Sequence, residues 1–355
     1  MMTKLYQRYV GTLYVKNVFI IFMGLVFFYA GVDLITNFKD LPESANLQLL
    51  YVSLNALTAV NYALPLSLVF GMIVSKFSMI RSNELICMYA AGISKTQLLK
   101  PLFVCAIGLT GIYIALNFTP FVYAYEYRSH LLKNHRIAPI SSDLFLKYEG
   151  NYVYIATLDP IRQEAQGIRV FEVDGLQLVR AIEAKRGTFV RNEWVLEEVK
   201  VVHKPEVQSL EDEGLRIERH ERMGALRGFK PKIIENAHQG GIALSVLDAL
   251  DALRFFSSQG IDTKGVKTAL YTMILFPFFA PLMVVILYFF LPASGRFFNL
   301  ALLSFIFVIV TLGVWGLLFV LSKFSSGGVI LPELAIALPI LAMAIGALSL
   351  FYKNH

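Results

Sequence analysis

Six apolar stretches dominate this sequence, and each is long enough to cross a membrane as a helix. About 20 apolar residues in helical conformation span the roughly 30 Å hydrocarbon core of a bilayer. Buried helices of soluble proteins rarely stay free of charge over such a length. The sequence therefore predicts an α-helical membrane protein with six transmembrane helices, three on each side of a polar insert. The apolar stretches are residues 17–38, 54–75, 102–121, 268–291, 297–322 and 334–352.

Charged residues are concentrated in the insert. The 355-residue chain is 16% charged, whereas a soluble domain contains about 25% charged residues. Residues 122–267 hold 21 Lys or Arg and 21 Asp or Glu, so the net charge of +6 comes from the rest of the chain. Nucleic-acid binding requires a basic patch on a folded surface. Because the insert has no basic excess, we expect no nucleic-acid partner.

The sequence contains no recognisable motif for catalysis or metal binding. Its two cysteines, Cys87 and Cys105, lie outside the insert, so no disulfide framework is possible there. The six histidines show neither metalloprotease spacing nor a nearby cysteine. The phosphate-binding motif GxxxxGK[ST] is absent as well. We therefore expect no metal, no cofactor and no ATPase site in this chain.

Basic residues in the short loops predict the orientation, because cytoplasmic loops are enriched in Lys and Arg. With the N-terminus in the cytoplasm, that side holds nine such residues, and the other side holds two, Lys39 and Lys323. Both termini are therefore expected in the cytoplasm, with the insert on the opposite face. The apolar stretch after Lys16 is too long for a cleaved signal peptide, and no small-residue cleavage site follows before Asp33.

The insert is predicted to be rich in β-strands. Several short segments alternate apolar and polar residues and are rich in Val, Ile and aromatic residues, which is typical of half-buried strands. Antiparallel strands in series favour a sandwich or a jellyroll. The predicted strands are residues 151–158, 167–173, 176–184, 194–203 and 215–222. The predicted turns lie at Asp174-Gly175, Arg186-Gly187 and Arg191-Asn192.

A helix is predicted to connect the insert to the fourth apolar stretch. Ser245 and Asp248 resemble a capping box, the helix continues to about Ser258, and Gly260 is a plausible stop. The predicted organisation has four parts. These are transmembrane helices 1–3 with a cytoplasmic helix near 81–94 (1–125), a β-jellyroll (126–235), an amphipathic connecting helix (236–267) and transmembrane helices 4–6 (268–355).

The loop between the second and third apolar stretches is the most informative short segment. It is predicted to be helical up to Gly92, which would end the helix, while Ser94 would cap the next one. Leu85 and Met88 lie on one face together with Tyr89. A short helix with an apolar face and one acid suits docking in a groove of a partner. The alternative is an ordinary helix at the membrane interface.

Three ionisable residues flank the predicted outer ends of the first and third stretches. Asp33 lies inside the first stretch, where an ionisable residue is a functional candidate by default. Lys39 and Arg128 follow the two stretches and are candidates for contacting an anionic head group. The alternatives are that Asp33 lies among head groups and neutralises Lys39, and that Arg128 belongs to a solvated linker.

The sequence resembles the LptF/LptG family of permeases of the lipopolysaccharide exporter. That family has a basic residue, a glutamate soon after it and a small-Gly-x-Ser/Thr sequence. The chain follows this pattern with Arg81, Glu84, Ala91, Gly92 and Ser94. Two further segments match: Arg8-Tyr9-Val10-Gly11 is similar to the family's opening motif, and residues 244–287 are similar to its helix, Gly-turn and proline-bearing fourth span. The chain is most similar to the LptG member, through residues 153–155 and 167–171.

The resemblance implies a specific assembly in the bacterial inner membrane. An LptG-like and an LptF-like permease pair there, and the short cytoplasmic helix docks on an LptB-like ATPase dimer that binds the ATP. In that setting Arg81, Glu84, Leu85, Met88, Gly92 and Ser94 are the expected coupling residues. Lipopolysaccharide enters between the permeases, and Lys39 lies where LptG-like members contact its head group. Arg128 and Asp33 are expected near that head group from their positions alone. The periplasmic jellyroll then passes it to LptC-like and LptA-like jellyroll proteins.

Other functions remain open at the level of sequence. The chain fits an LptF-type paralogue in the same complex almost as well. A lipoprotein or lipid ABC permease usually has four spans, so six spans argue against it. A membrane enzyme acting on lipids would need a convergent polar cluster, and a scaffold would need no transport at all. The ATPase that co-purifies with the chain would distinguish the exporter from these alternatives.

Overall fold

The computed structural model describes most of the chain. The described residues are 5–134, 141–148, 150–160, 162–174, 177–204, 214–231, 234, 244–258, 263–294 and 299–354. The chain divides into two compact units, one formed by residues 1–128 with 263–355 and the other by residues 129–262. The first unit contains the apolar helices and the second contains the insert.

Six helices among the described residues are long and apolar enough to cross a membrane, as predicted. Their bounds are α1 (Leu5–Thr36), α2 (Ala45–Arg81), α4 (Lys95–Leu116), α7 with α8 (Lys264–Phe290), α9 (Leu300–Ser326) and a π-turn with α10 (Glu333–Lys353). Three shorter helices are α3 (Glu84–Ala90), α5 (Ala124–Asn134) and α6 (Val246–Ser258). The 37 residues of α2 extend about 55 Å, so this helix is longer than a hydrocarbon core is thick.

The third long helix ends earlier than the predicted residue 121. Helix α4 stops at Leu116, and a 3₁₀ turn (Pro120–Tyr123) leads into α5. Thr119 is extended, with φ −107° and ψ 169°, because the ring of Pro120 disfavours helical conformation in the preceding residue. The apolar character of the sequence continues past this break, which is why the apolar stretch overestimates the helix.

The fourth long helix is broken at Pro277. Its first half, α7 (Lys264–Ile274), is followed by a 3₁₀ turn (Phe276–Phe278) and then by α8 (Phe279–Phe290). Proline has no N–H to donate and clashes with the preceding helical turn, so it interrupts the hydrogen-bond ladder. The two halves also have different main neighbours: α7 packs mainly against α9, whereas α8 packs mainly against α2, α4 and α10.

Helices α1 and α2 are in close contact because of a glycine. A Cβ added at Gly71 would lie 2.4 Å from Cγ2 of Val18 and 3.0 Å from its Cα, so no larger residue fits. Beside this contact Asn17 donates to Oγ of Ser75 at 2.8 Å. A polar pair that satisfies itself between two spans avoids an unpaired group in an apolar setting.

The described residues of the insert form one antiparallel sheet of six strands that does not close into a barrel, which is consistent with a jellyroll-like domain. Each strand pairs with its neighbours in sequence. A buried ladder of Val153, Val170, Ile182 and Val201 crosses four adjacent strands, and such directly opposed side chains share one face. The strands are β1 (Ser141–Tyr148), β2 (Asn151–Asp159), β3 (Glu164–Asp174), β4 (Gln177–Val190), β5 (Glu193–His203) and β6 (Arg216–Ala225).

Two details of the predicted sheet were wrong. Strand β1 was not predicted, and the predicted turn at Arg186-Gly187 lies inside β4. Gly187 is required by packing rather than by a turn, since a Cβ there would lie 2.5 Å from Cδ1 of Ile168 and 3.0 Å from Cδ2 of Leu196. A glycine in a strand often marks such a close approach.

The connecting helix begins as predicted. In the first turn of α6, Oγ of Ser245 accepts from the backbone N–H of Asp248 at 3.2 Å and donates to its carboxylate at 2.6 Å. The bond from the Asp248 N–H satisfies a backbone donor at the helix N-terminus, and the bond to the carboxylate orients the hydroxyl. Gly260, the predicted stop, lies outside the described residues.

Candidate functional site

Helix α3 (Glu84–Ala90) is the short helix predicted in the loop between the second and third apolar stretches. It follows Asn83, which has the left-handed φ of 58° that asparagine tolerates. Glu84 lies in the first turn, where the helix dipole favours a negative charge. Arg81, at the end of α2, is exposed. Arg81 and Glu84, the two charged candidate residues of this loop, thus lie on either side of the turn that connects α2 to α3.

A glycine ends α3 through a Schellman motif. The N–H of Gly92 donates to the carbonyl of Tyr89 at 3.0 Å, and that of Ile93 donates to the carbonyl of Met88 at 3.1 Å. Gly92 has φ +79°, a conformation that costs other residues about 1–2 kcal/mol. The side chain of Ser94 then caps α4 by accepting from the N–H of Gln97 at 3.3 Å. Both predicted capping roles in this loop are present.

The apolar face of α3 packs against the chain's own core. Leu85 is completely buried, and Met88 and Tyr89 pack against the same hydrophobic cluster. Burial raises the pKa of the Tyr89 phenol. Leu85, which was expected in the interface with a partner, therefore attaches α3 to its own subunit. The side chains of Ile86 and Cys87 point outward and are exposed.

Glu84 is linked to the start of α1. The hydroxyl of Tyr9 donates to its carboxylate at 2.8 Å, while the neighbouring Val10 is completely buried in the core. Charge-assisted bonds of this kind are stronger than neutral ones and restrain both partners. The segment Arg8-Tyr9-Val10-Gly11, singled out by its sequence, thus holds the acidic residue of the loop between α2 and α4.

Lys76, one and a half turns before the end of α2, was not recognised from sequence as a structural residue. Its side chain is 2% exposed. The ammonium donates to the carbonyls of Tyr288 at 2.5 Å and Leu291 at 3.0 Å and lies 3.9 Å from the centroid of the Tyr288 ring. A cation at a helix C-terminus pairs with carbonyls that have no intrahelical donor. Lys76 therefore joins α2, which precedes α3, to the end of α8.

A second polar cluster lies where α1 approaches α5. Asp33 and Arg128 form an ion pair of 2.9 Å, with side chains 15% and 11% exposed. The hydroxyl of Tyr51, on α2, donates to the same carboxylate. Three separate helices therefore meet at one carboxylate that is largely removed from solvent.

The guanidinium of Arg128 makes further contacts through the same nitrogen that pairs with Asp33. Its Nη1 also donates to Oδ1 of Asn55 at 2.8 Å and to the hydroxyl of Tyr29 at 3.5 Å. Nε of Arg128 and Nδ2 of Asn55 are buried and have no hydrogen-bond partner among the described residues. Unpaired buried donors are costly. The cluster thus contains two buried donors that no described residue satisfies.

The structure brings together two of the three residues predicted to contact the lipid. Asp33 pairs with Arg128, whereas Lys39 lies exposed in a 3₁₀ turn (Phe38–Asp40) after α1. No ion pair joins Lys39 to Asp33 in the described part of the chain. Tyr51 and Asn55 were missed, although their i, i+4 spacing places them on one face of α2 and identifies a polar patch in an otherwise apolar segment.

The comparison with known families identifies the chain over nearly its whole length. A family model described as "Lipopolysaccharide export system permease LptF/LptG" matches residues 8–353, which is nearly the whole chain. The match includes all six long helices and the inserted sheet. No curated protein sequence matches the chain.

Proposed function

The chain belongs to the LptF/LptG family of permeases of the lipopolysaccharide export system, and from this premise we propose that it is one subunit of an ATP-driven exporter. The family is one of membrane transporter permeases and not of enzymes. We infer that an LptB-like ATPase dimer binds the ATP and that a paralogous permease completes the membrane part. This chain is the LptG-like member of that pair.

The proposed orientation has both termini in the cytoplasm of a bacterial inner membrane. The nine-to-two distribution of basic residues, in the short loops and in the helix ends next to them, supports it. Helix α3 then faces the cytoplasm and the inserted sheet faces the periplasm. The chain therefore presents one surface to an ATPase and another to periplasmic proteins.

Coupling to ATP hydrolysis is proposed to use α3 as part of a rigid body. Leu85 joins α3 to the hydrophobic core, and Lys76 joins α2 to the end of α8. A displacement of α3 by the ATPase would therefore move α2 and α8 together. The break at Pro277 separates α8 from α7 and provides a position where the displacement can be absorbed, as hinges usually lie at the ends of elements.

Lipid uptake is proposed to involve the polar cluster of Asp33 and Arg128. In this structure the carboxylate neutralises the guanidinium. The phosphate groups of lipopolysaccharide are acceptors that fit the geometry of an arginine, and they would compete with Asp33 for Arg128. The exposed Lys39 supplies a second cation at the end of α1.

Transfer from the membrane is proposed to use the inserted sheet. Because the sheet of the described residues is open, its two outer strands, β1 and β6, each have one edge without a neighbour. Unpaired edges bind other strands by main-chain hydrogen bonds. LptC-like and LptA-like jellyroll proteins would continue the sheet in this way.

The family match over residues 8–353 is the observation on which this function rests. Its test is the substitution Glu84→Lys, because the loop has one acid and a basic pocket on the ATPase is the expected contact. Losing a desolvated charge pair costs about 2–5 kcal/mol, so the ATPase should co-purify at least tenfold less well. Glu43→Lys makes the same charge change at an exposed residue outside the loop and should have no effect. An intact, exporting complex with Glu84→Lys would remove Glu84 from this role.

A further inference from the structure

A groove between α1 and α4 lies near the ends at which both helices begin. It has a volume of about 850 Å³, which is within the range of small-ligand sites. Gly11 forms its floor: a Cβ there would lie 3.7 Å from Sγ of Cys105 and 3.8 Å from Cβ of Pro101. Val15 and Val104 form its walls and are 41% and 67% exposed. The interior of the groove is therefore apolar and accessible.

Three cations border this groove. Arg8 and Lys16 lie on α1 and Lys100 lies on α4, and all three are exposed. Within the described residues none of them forms an ion pair, and no acidic residue lines the groove. Arg8 and Lys16 are eight residues apart, or about 12 Å along the helix. The arrangement combines an apolar floor with a positively charged border that nothing in the described chain neutralises.

We propose that this groove binds one anionic phospholipid of the cytoplasmic leaflet. Basic pockets between transmembrane helices on the cytoplasmic side suit acidic head groups, and the apolar floor suits an acyl chain. The 32 residues of α1 extend about 48 Å, so this helix is longer than the hydrocarbon core and its basic end reaches the head-group region. The inference uses the proposed orientation of the chain but no other part of the proposed function.

The site differs from the cluster proposed to contact lipopolysaccharide. Arg8 and Asp33 are 25 residues apart on the same helix, or about 37 Å along its axis. The groove is instead next to the coupling loop, because Tyr9, adjacent to Arg8, donates to Glu84. A phospholipid in the groove would hold the start of α1 against α4, and so help to hold Tyr9 against the acid of the coupling loop.

A native cysteine can report whether a lipid occupies the groove. Cys105 lines the groove, whereas Cys87 is exposed on α3 outside it. The rate of alkylation by N-ethylmaleimide would be measured at both cysteines in the detergent-purified complex and in the purified full chain. Phosphatidylglycerol, phosphatidylcholine and glycerol 3-phosphate would each be titrated. Phosphatidylglycerol should slow alkylation of Cys105 at concentrations well below those of phosphatidylcholine, glycerol 3-phosphate should not, and Cys87 should react at a constant rate.

A pair of matched variants tests the role of the charges. Lys16→Gln with Lys100→Gln removes two of the bordering cations. Lys95→Gln with Lys353→Gln removes two exposed cations elsewhere on the same proposed side of the membrane. Two basic residues near an anionic lipid contribute a factor of about thirty in affinity. Protection of Cys105 should therefore require about thirtyfold more phosphatidylglycerol in the first variant and an unchanged amount in the second.

Two results would overturn the proposal. Equal protection by phosphatidylglycerol and phosphatidylcholine in the unsubstituted chain would show that the charges select nothing. Cys105 could instead be protected in the complex without added lipid, and unprotected in the isolated chain even with phosphatidylglycerol. This result would show that a segment of a partner protein occupies the groove. Neither result bears on whether the complex exports lipopolysaccharide, which is measured separately.

Discussion

Removing Asp33 alone is expected to destabilise the protein more than removing Asp33 and Arg128 together. The pair is 2.9 Å long and both side chains are at most 15% exposed, so it behaves as a buried ion pair. Removing one partner of such a pair costs about 3–5 kcal/mol, because the other charge stays buried without compensation. Replacing both charges by apolar or neutral groups is often neutral or stabilising.

The comparison needs four proteins: the unsubstituted chain, Asp33→Asn, Arg128→Met and the double variant. Thermal unfolding of the purified complex would be followed for each. The Asn variant should unfold at a clearly lower temperature, and the double variant should recover most of the loss. Glu183→Gln breaks the exposed pair with Arg169, in which the side chains are 46% and 55% exposed. It should cost less than about 1 kcal/mol and is the control.

Lipopolysaccharide uptake in the same four proteins separates the two roles of Arg128. If Arg128 binds the lipid, the double variant recovers stability but not uptake, and Asp33→Asn takes up lipid at least as well as the unsubstituted chain. If Arg128 only pairs with Asp33, the double variant recovers both properties. A double variant that is less stable than either single variant would show that the two charges do not compensate each other.

Gly92→Val should weaken ATPase binding in a pull-down, because valine resists the φ of +79° found at Gly92. An added Cβ there has nothing within 4 Å, so the effect would come from the backbone and not from a clash. Gly92→Asn should retain most binding, because asparagine tolerates this conformation. Lys76→Met should lower the unfolding temperature, since two carbonyls lose their donor at about 1–3 kcal/mol each. Asp174→Cys would be made in a chain in which Cys87 and Cys105 are replaced by serine. The new cysteine should react with an impermeant maleimide in cells whose outer membrane alone is permeabilised. Reaction only after lysis would contradict the topology.

The membrane helices were predicted well from the sequence because the lipid bilayer itself restricts which residues can span it. A hydrocarbon core excludes charge and leaves no water to satisfy the backbone, so each span is visible as a long apolar stretch. The helix ends were less predictable. Helix α4 stops at Leu116 within a stretch that stays apolar to residue 121, because the break depends on Pro120 and not on hydropathy.

The local geometry around the candidate residues was predicted only where neighbouring residues decide it. The caps at Gly92 and Ser94 follow from backbone and side-chain preferences within a few residues. The burial of Leu85 in its own subunit depends on contacts with distant helices, which an amphipathic pattern does not specify. The same holds for Lys76, whose carbonyl partners are more than 200 residues away in sequence.

Export of lipopolysaccharide by the complex tests the central claim most directly. The chain would be reconstituted with its co-purifying permease and ATPase in proteoliposomes that contain lipopolysaccharide. A soluble LptA-like acceptor with a photo-crosslinking residue would be added outside, together with the LptC-like bridge. We predict that crosslinks between acceptor and lipopolysaccharide accumulate with time only when ATP is present and fall at least tenfold with Glu84→Lys. Accumulation that does not depend on ATP, or none at all in a complex that hydrolyses ATP, would contradict the account.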